Sequence, residues 1–197
     1  MPHDMLIALA IFAFVSSITP GPNNLMLMAS GANYGIWRSV PHMLGVGIGF
    51  TAMIVGVGAG LAQVFDAHPV SRAALRAISV IYLLYLAYKI ATAAPINDEN
   101  KHGQPITFLQ AAAFQWINPK AWTMALTAIT AYAPGTSIHE VCLVALVFGV
   151  VNLPSISAWT VMGQQMAHVL TNRARLTAFN WTMAALLIAS LYPVVLG

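Results

Sequence analysis

The sequence predicts an all-α integral membrane protein in which six transmembrane helices form two inverted three-helix repeats, with helices 1 and 4 broken. Three observations carry that reading. Hydrophobic residues make up 59% of the 197 residues and charged residues only 7%, whereas a soluble domain carries about 25% charged residues. The apolar residues gather into six runs, each near the roughly 20 residues needed to cross the hydrocarbon of a bilayer. Two of those runs, half a chain apart, are interrupted by proline beside asparagine.

The runs follow in order. The first covers residues 5–29, opened by Asp4 and closed by Gly31-Ala32-Asn33-Tyr34-Gly35. The second, rich in glycine, covers 40–63 and ends at Asp66-Ala67-His68-Pro69. The third covers 73–93. A hydrophilic stretch at 95–105, containing Asn97-Asp98-Glu99-Asn100-Lys101, then divides the chain. The fourth run covers 108–131, the fifth 140–168 and the sixth 176–196. The fifth is long enough to tilt, or to kink at Pro154. The expected organisation is a single transmembrane domain over 1–197, with half-repeats at about 1–94 and 106–197. Three spans per half is an odd number, so the halves must lie upside down relative to one another.

Charge sets the expected orientation. Arg38, Lys89, Lys101, Arg173 and Arg175 fall on the odd-numbered loops, against Arg72 and Arg76 on the opposite side. The positive-inside rule therefore puts the odd loops in the cytoplasm and both termini outside. A net charge of +3 spread over several loops is not a nucleic-acid patch. Asp4, with no Lys or Arg before the first run, argues against a signal peptide. Cys142 stands alone inside an apolar run, which excludes disulfides, a CxxC redox pair and a cysteine zinc site. HExxH, GxSxG and P-loop patterns do not occur, so neither an enzyme nor a cofactor is expected.

The breaks carry the chemistry. Ser16-Ser17-Ile18-Thr19-Pro20-Gly21-Pro22-Asn23-Asn24 interrupts the first run, and Trp116-Ile117-Asn118-Pro119-Lys120 the fourth. Each proline removes a backbone donor and obstructs the preceding turn, and the freed groups need partners at bilayer depth. Interrupted helices at corresponding positions of two halves point to a transporter's central site. Thr19, Pro20, Gly21, Pro22, Asn23, Asn24, Asn118, Pro119 and Lys120 are accordingly the candidate substrate-binding residues. A zwitterion needs an anion site and a cation site. Amides of the half-helix starting near Asn23, reinforced by Lys120, suit a carboxylate. Carbonyls freed around Ser16–Thr19, with the side chains of Asn23 and Asn118, suit an ammonium. The alternative for Lys120 is snorkelling to an interface, since its charge at mid-depth costs at least about 2.5 kcal/mol. The small residues of the second run, Gly45 and Gly49 among them, read as close helix packing. His42 reads as an interfacial or hydrogen-bonded histidine, with proton transfer as its alternative. Tyr82, Tyr85, Tyr88 and Trp159 read as core or belt residues.

With these segments in view, the chain resembles the LysE/RhtB family of bacterial amino-acid exporters over essentially its full length. Thr19-Pro20-Gly21-Pro22-Asn23, the string Ile81-Tyr82-Leu83-Leu84-Tyr85-Leu86-Ala87-Tyr88-Lys89, and Asn118-Pro119-Lys120-Ala121 are similar to motifs of its first, third and fourth spans. Residues 45–50, 89–92 and 114–118 resemble the cysteine/O-acetylserine exporter branch. Phe50 departs from the acidic residue that many family members place after the second-span glycine. The resemblance implies proton-driven export of small amino acids or their derivatives across the bacterial cytoplasmic membrane. With no deep carboxylate, the proton carriers available are Lys120, His42, Asp4 and Glu140. The expected partners are a small amino acid and membrane lipid, with homo-oligomerisation left open. A channel, or a non-transport assembly factor built on the same kinked bundle, is the alternative of a different class.

Overall fold

The computed structural model describes residues 1–61, 63, 69–93, 104–133, 135 and 137–192. Among these residues the chain is all-helical, with α1 (His3–Ile18), α2 (Pro22–Gly58), α3 (Pro69–Ala91), α4 (Phe108–Gln115), α5 (Pro119–Tyr132), α6 (Ile138–Ala167) and α7 (Arg173–Ala189). Stretches of α2, α3 (Ala73–Ala91) and α6 are long and apolar enough to cross a membrane, and α1 is a shorter apolar helix. The dividing stretch at 95–103, the Asp66–His68 turn and Pro193 lie outside the described residues.

The helix boundaries follow the apolar runs closely, with one departure. The loop expected between the first two runs is replaced by a single residue. α2 is two helical arms joined at Gly35, which adopts φ 74° and ψ 169°. That positive φ suits glycine, and it lets the chain reverse without a loop. On the first arm of α2, Asn24 shares a cavity with Asn152 and Ile156, and Ile36 beyond the bend meets Gln164. On the second arm Gly47 lies by Ile156, Thr51 by Gly149 and Gly58 by Val141. The two arms therefore run in opposite directions along α6. The orphan amide of Ile36 at the bend donates to Gln164 Oε1 at 2.7 Å, and the Ser39 hydroxyl donates to Gly35 O at 2.8 Å. Pro154 sits inside α6, which continues through it as one helix.

Close backbone approach fastens α2 to its neighbours. A side chain on Gly31 would run into the Thr160 carbonyl, and one on Gly163 into that of Met28. Gly45 and Gly49 pack on Phe108, Ala111 and Ala112 of α4, as the packing reading of the second run expects. The apolar interior forms two clusters. Leu25, Met43, Leu83, Leu86, Phe114 and Leu187 anchor one, and Leu9, Phe50, Met53, Ala125, Val144 and Phe148 the other. The break residues 19–21 and 118 belong to neither. Large apolar side chains such as Ile11, Ile48, Ile81, Leu109 and Val150 are exposed, a surface suited to lipid.

Candidate functional site

The first break begins where α1 runs out of amides. Thr19 N still bonds back to Val15 O at 3.2 Å, but Pro20 and Pro22 have no donor to offer. Buried carbonyls need partners, and each one here has found a partner. The Thr19 hydroxyl serves Ser16 O at 2.9 Å. The Asn24 side-chain amide serves both Ser17 O and Thr19 O, each at 2.8 Å. The Trp159 indole N–H reaches Ile18 O at 3.0 Å. The Lys120 ammonium donates to Thr19 O at 2.7 Å, to Thr19 Oγ1 at 3.0 Å and to Pro20 O at 3.4 Å.

The second break closes by a tighter, local route. The amides of Trp116, Ile117 and Asn118 bond back to Ala113, Phe114 and Gln115 at 3.2, 3.1 and 3.3 Å. The Trp122 indole caps Trp116 O at 2.8 Å, and the Ser79 hydroxyl donates to Ile117 O. Asn118 then caps α5, its side-chain oxygen accepting from Lys120 N at 3.1 Å, and Pro119 takes the first helical position, where a missing N–H is tolerated.

The N-termini of α2 and α5 meet across one polar cavity. Gly21, Asn23 and Asn24 line it from the first break, Asn118, Lys120 and Ala121 from the second, and Ser16, Ser17, Phe50 and Asn152 from the surrounding helices. Its open volume is about 30 Å³, room for about one water. Both half-helices present the positive ends of their dipoles to it.

Of the sequence-predicted residues, Gly21, Asn23, Asn24, Asn118 and Lys120 are thus brought together. Thr19 is tied to Lys120. Pro22 and Pro119 occupy first helical positions, and Pro20 faces an apolar groove beside Trp159, Met183 and Leu186. Lys120 has two carbonyl oxygens and the Thr19 hydroxyl as its side-chain partners.

Four side chains outside the nine candidate residues also take part. Gln115, fully buried, exchanges two hydrogen bonds with Asn23, at 2.8 and 3.1 Å, and so joins the two breaks directly. Ser17 is buried with its hydroxyl unpartnered among the described residues, and the Asn152 amide, two residues before Pro154, lines the cavity. Trp159, expected in the core or belt, is a helix cap. His42 is fully buried, and neither ring nitrogen has a partner among the described residues. It is therefore not hydrogen-bonded within that set.

The LysE type translocator family model matches residues 14–191, a span that contains both breaks and the cavity between them. The chain belongs to the LysE-type translocator family. It is a transporter of that family rather than an enzyme. Among curated relatives, a protein of Salmonella typhimurium (strain LT2) named cysteine/O-acetylserine efflux protein is 25% identical over 95% of this chain and 96% of its own length. A protein of the same name from Klebsiella pneumoniae is 24% identical over 95% of both chains. Another from Escherichia coli (strain K12) is 28% identical over 67% of each. No solved structure matches.

Proposed function

We propose that this LysE-type translocator exports small amino acids or amino-acid derivatives, cysteine and O-acetylserine among them, across the bacterial inner membrane. The observation that carries the reading is the cavity between the two breaks. There two positive helix ends, a set of carbonyls and a lysine lie within one apolar bundle. The N-terminal amides of α2 and α5 suit a carboxylate, and the oxygens at the end of α1 suit an ammonium. Six spans arise when α1 and the first arm of α2 make one crossing, the second arm another, α3 a third, α4 with α5 a fourth, and α6 and α7 the last two. The two broken crossings then correspond between inverted halves, and rocking one half against the other alternates access to the cavity. Export draws on the proton gradient, with Lys120, His42, Asp4 and Glu140 as the proton-carrying candidates.

The test is flux in proteoliposomes containing the purified protein. Loaded radiolabelled cysteine or O-acetylserine leaves saturably, and faster when a pH step is imposed across the membrane. Non-saturable flux would make the protein a channel, and indifference to the pH step would make it a facilitator. For topology, both termini lie outside and residues 97–103 face the cytoplasm. With Cys142 replaced, His68→Cys then labels with an impermeant thiol reagent in intact cells and Asn100→Cys does not. The opposite pattern reverses the orientation.

A further inference from the structure

The oxygens at the end of α1 form a cradle for an ammonium, and Lys120 fills it. Its Nζ lies 2.7 Å from Thr19 O, 3.0 Å from Thr19 Oγ1 and 3.4 Å from Pro20 O. Three acceptors match the three donors of an ammonium. The lysine arrives from 101 residues along the chain, and its stem crosses the face of Gly21. A Cβ on Gly21 would stand 2.7 Å from Lys120 Cδ and 3.1 Å from Nζ, so the bare glycine is what allows the stem to lie there. The cavity that remains has an open volume of about 30 Å³, room for about one water and not for an amino acid. Something lining it must withdraw before a substrate enters.

We propose that Lys120 is a tethered stand-in for the substrate's amino group. Its ammonium closes the cradle while the site is empty. An incoming amino acid places its own ammonium on Thr19 and Pro20, and the displaced lysine turns to the substrate carboxylate. The exchange avoids the cost of an unpaired charge or bare carbonyls inside the membrane. It also makes demands on the ligand. A molecule with a carboxylate but no primary ammonium cannot take the cradle from the lysine. An amine without a carboxylate takes the cradle but leaves the lysine stranded. This inference rests on the export reading above, and it says how the site tells an amino acid from a molecule that has only one of its two charged groups.

Two measurements test it, and the first needs no transport. Lys120→Ala vacates the cradle, so the purified full-length variant unfolds at a lower temperature than wild type in detergent. Methylammonium restores part of the loss, because it offers the same N–H donors. Tetramethylammonium, which has none, does not, and wild type responds to neither. A Lys120→Ala protein that ignores methylammonium overturns the proposal. The second measurement uses cysteine counterflow in proteoliposomes and does not require the alanine variant to fold. In wild type, 3-mercaptopropionate, which lacks the amine, inhibits at least about tenfold more weakly than cysteine, as expected for lost charge-assisted hydrogen bonds. In Lys120→Met, cysteamine, which lacks the carboxylate, inhibits at least about tenfold more strongly than it does in wild type. If 3-mercaptopropionate inhibits wild type as well as cysteine does and loses its effect in Lys120→Met, the lysine is a carboxylate clamp and the proposal is wrong. Wild type without cysteine flux would instead refute the export reading, leaving the methylammonium result to judge the cradle alone.

Discussion

The two helix breaks solve the same problem by different means. At the second, the chain tightens into its own turn. Three amides bond back three residues, Trp122 caps Trp116 O from six residues away, and Asn118 caps the helix that follows. The Ser79 hydroxyl, from α3, adds a bond to Ile117 O. At the first, the partners are chiefly remote. Trp159 reaches Ile18 O across 141 positions and Lys120 reaches Thr19 O across 101, while Asn24 and the Thr19 hydroxyl serve carbonyls close by. A local turn holds its shape whatever its neighbours do. A break stitched by distant side chains is held only while the two halves of the molecule stay in register. The second break thus has the character of a fixed corner, and the first that of a joint.

The largest effect expected from this contrast comes from the prolines. Replacing Pro20 and Pro22 together by alanine returns two backbone donors and lets α1 join α2. Transport should fall to background while abundance in the membrane survives. Pro119→Ala should cost far less, because the second break is held by its own turn and by Asn118. Equal losses at the two sites would end the distinction between joint and corner. A smaller effect comes from the two indole caps. Trp159→Phe and Trp122→Phe each remove one N–H donor to a helix-end carbonyl, so each should cost about 1 kcal/mol of stability. Transport should separate them, since only Trp159 joins the first break to another helix. Thermal unfolding with flux measured on both variants checks this. Equal loss of flux at equal stability would mean that the caps serve packing alone.

Much of this was legible in the residues. The apolar runs marked the helices, and proline marked both breaks, because a missing amide is a property of the residue itself. What depended on a partner far along the chain was not legible. Residues 31–35 read as a loop, since glycine and asparagine favour one. Gly35 turns the chain alone because Gln164, 128 positions away, satisfies the exposed amide of Ile36. Lys120 could be recognised as a costly intramembrane charge. Its seat on the α1 carbonyls depends on a backbone packing that leaves Gly21 bare beneath its stem. Gln115 and Asn152 are single polar residues within apolar runs, where nothing local gave them a role, and Ser17 stood inside the first break without a role of its own.

The central claim is that the cavity between the breaks is where the amino acid binds, and Asn152 allows it to be tested without disturbing either break. With Cys142 replaced, Asn152→Cys presents a thiol to the cavity from α6. The rate at which a small methanethiosulfonate modifies it in proteoliposomes can be followed with and without O-acetylserine, which has no thiol of its own. The account predicts that O-acetylserine slows modification several-fold, with half-protection at the concentration that half-saturates flux. An unchanged rate at concentrations that saturate flux would contradict it.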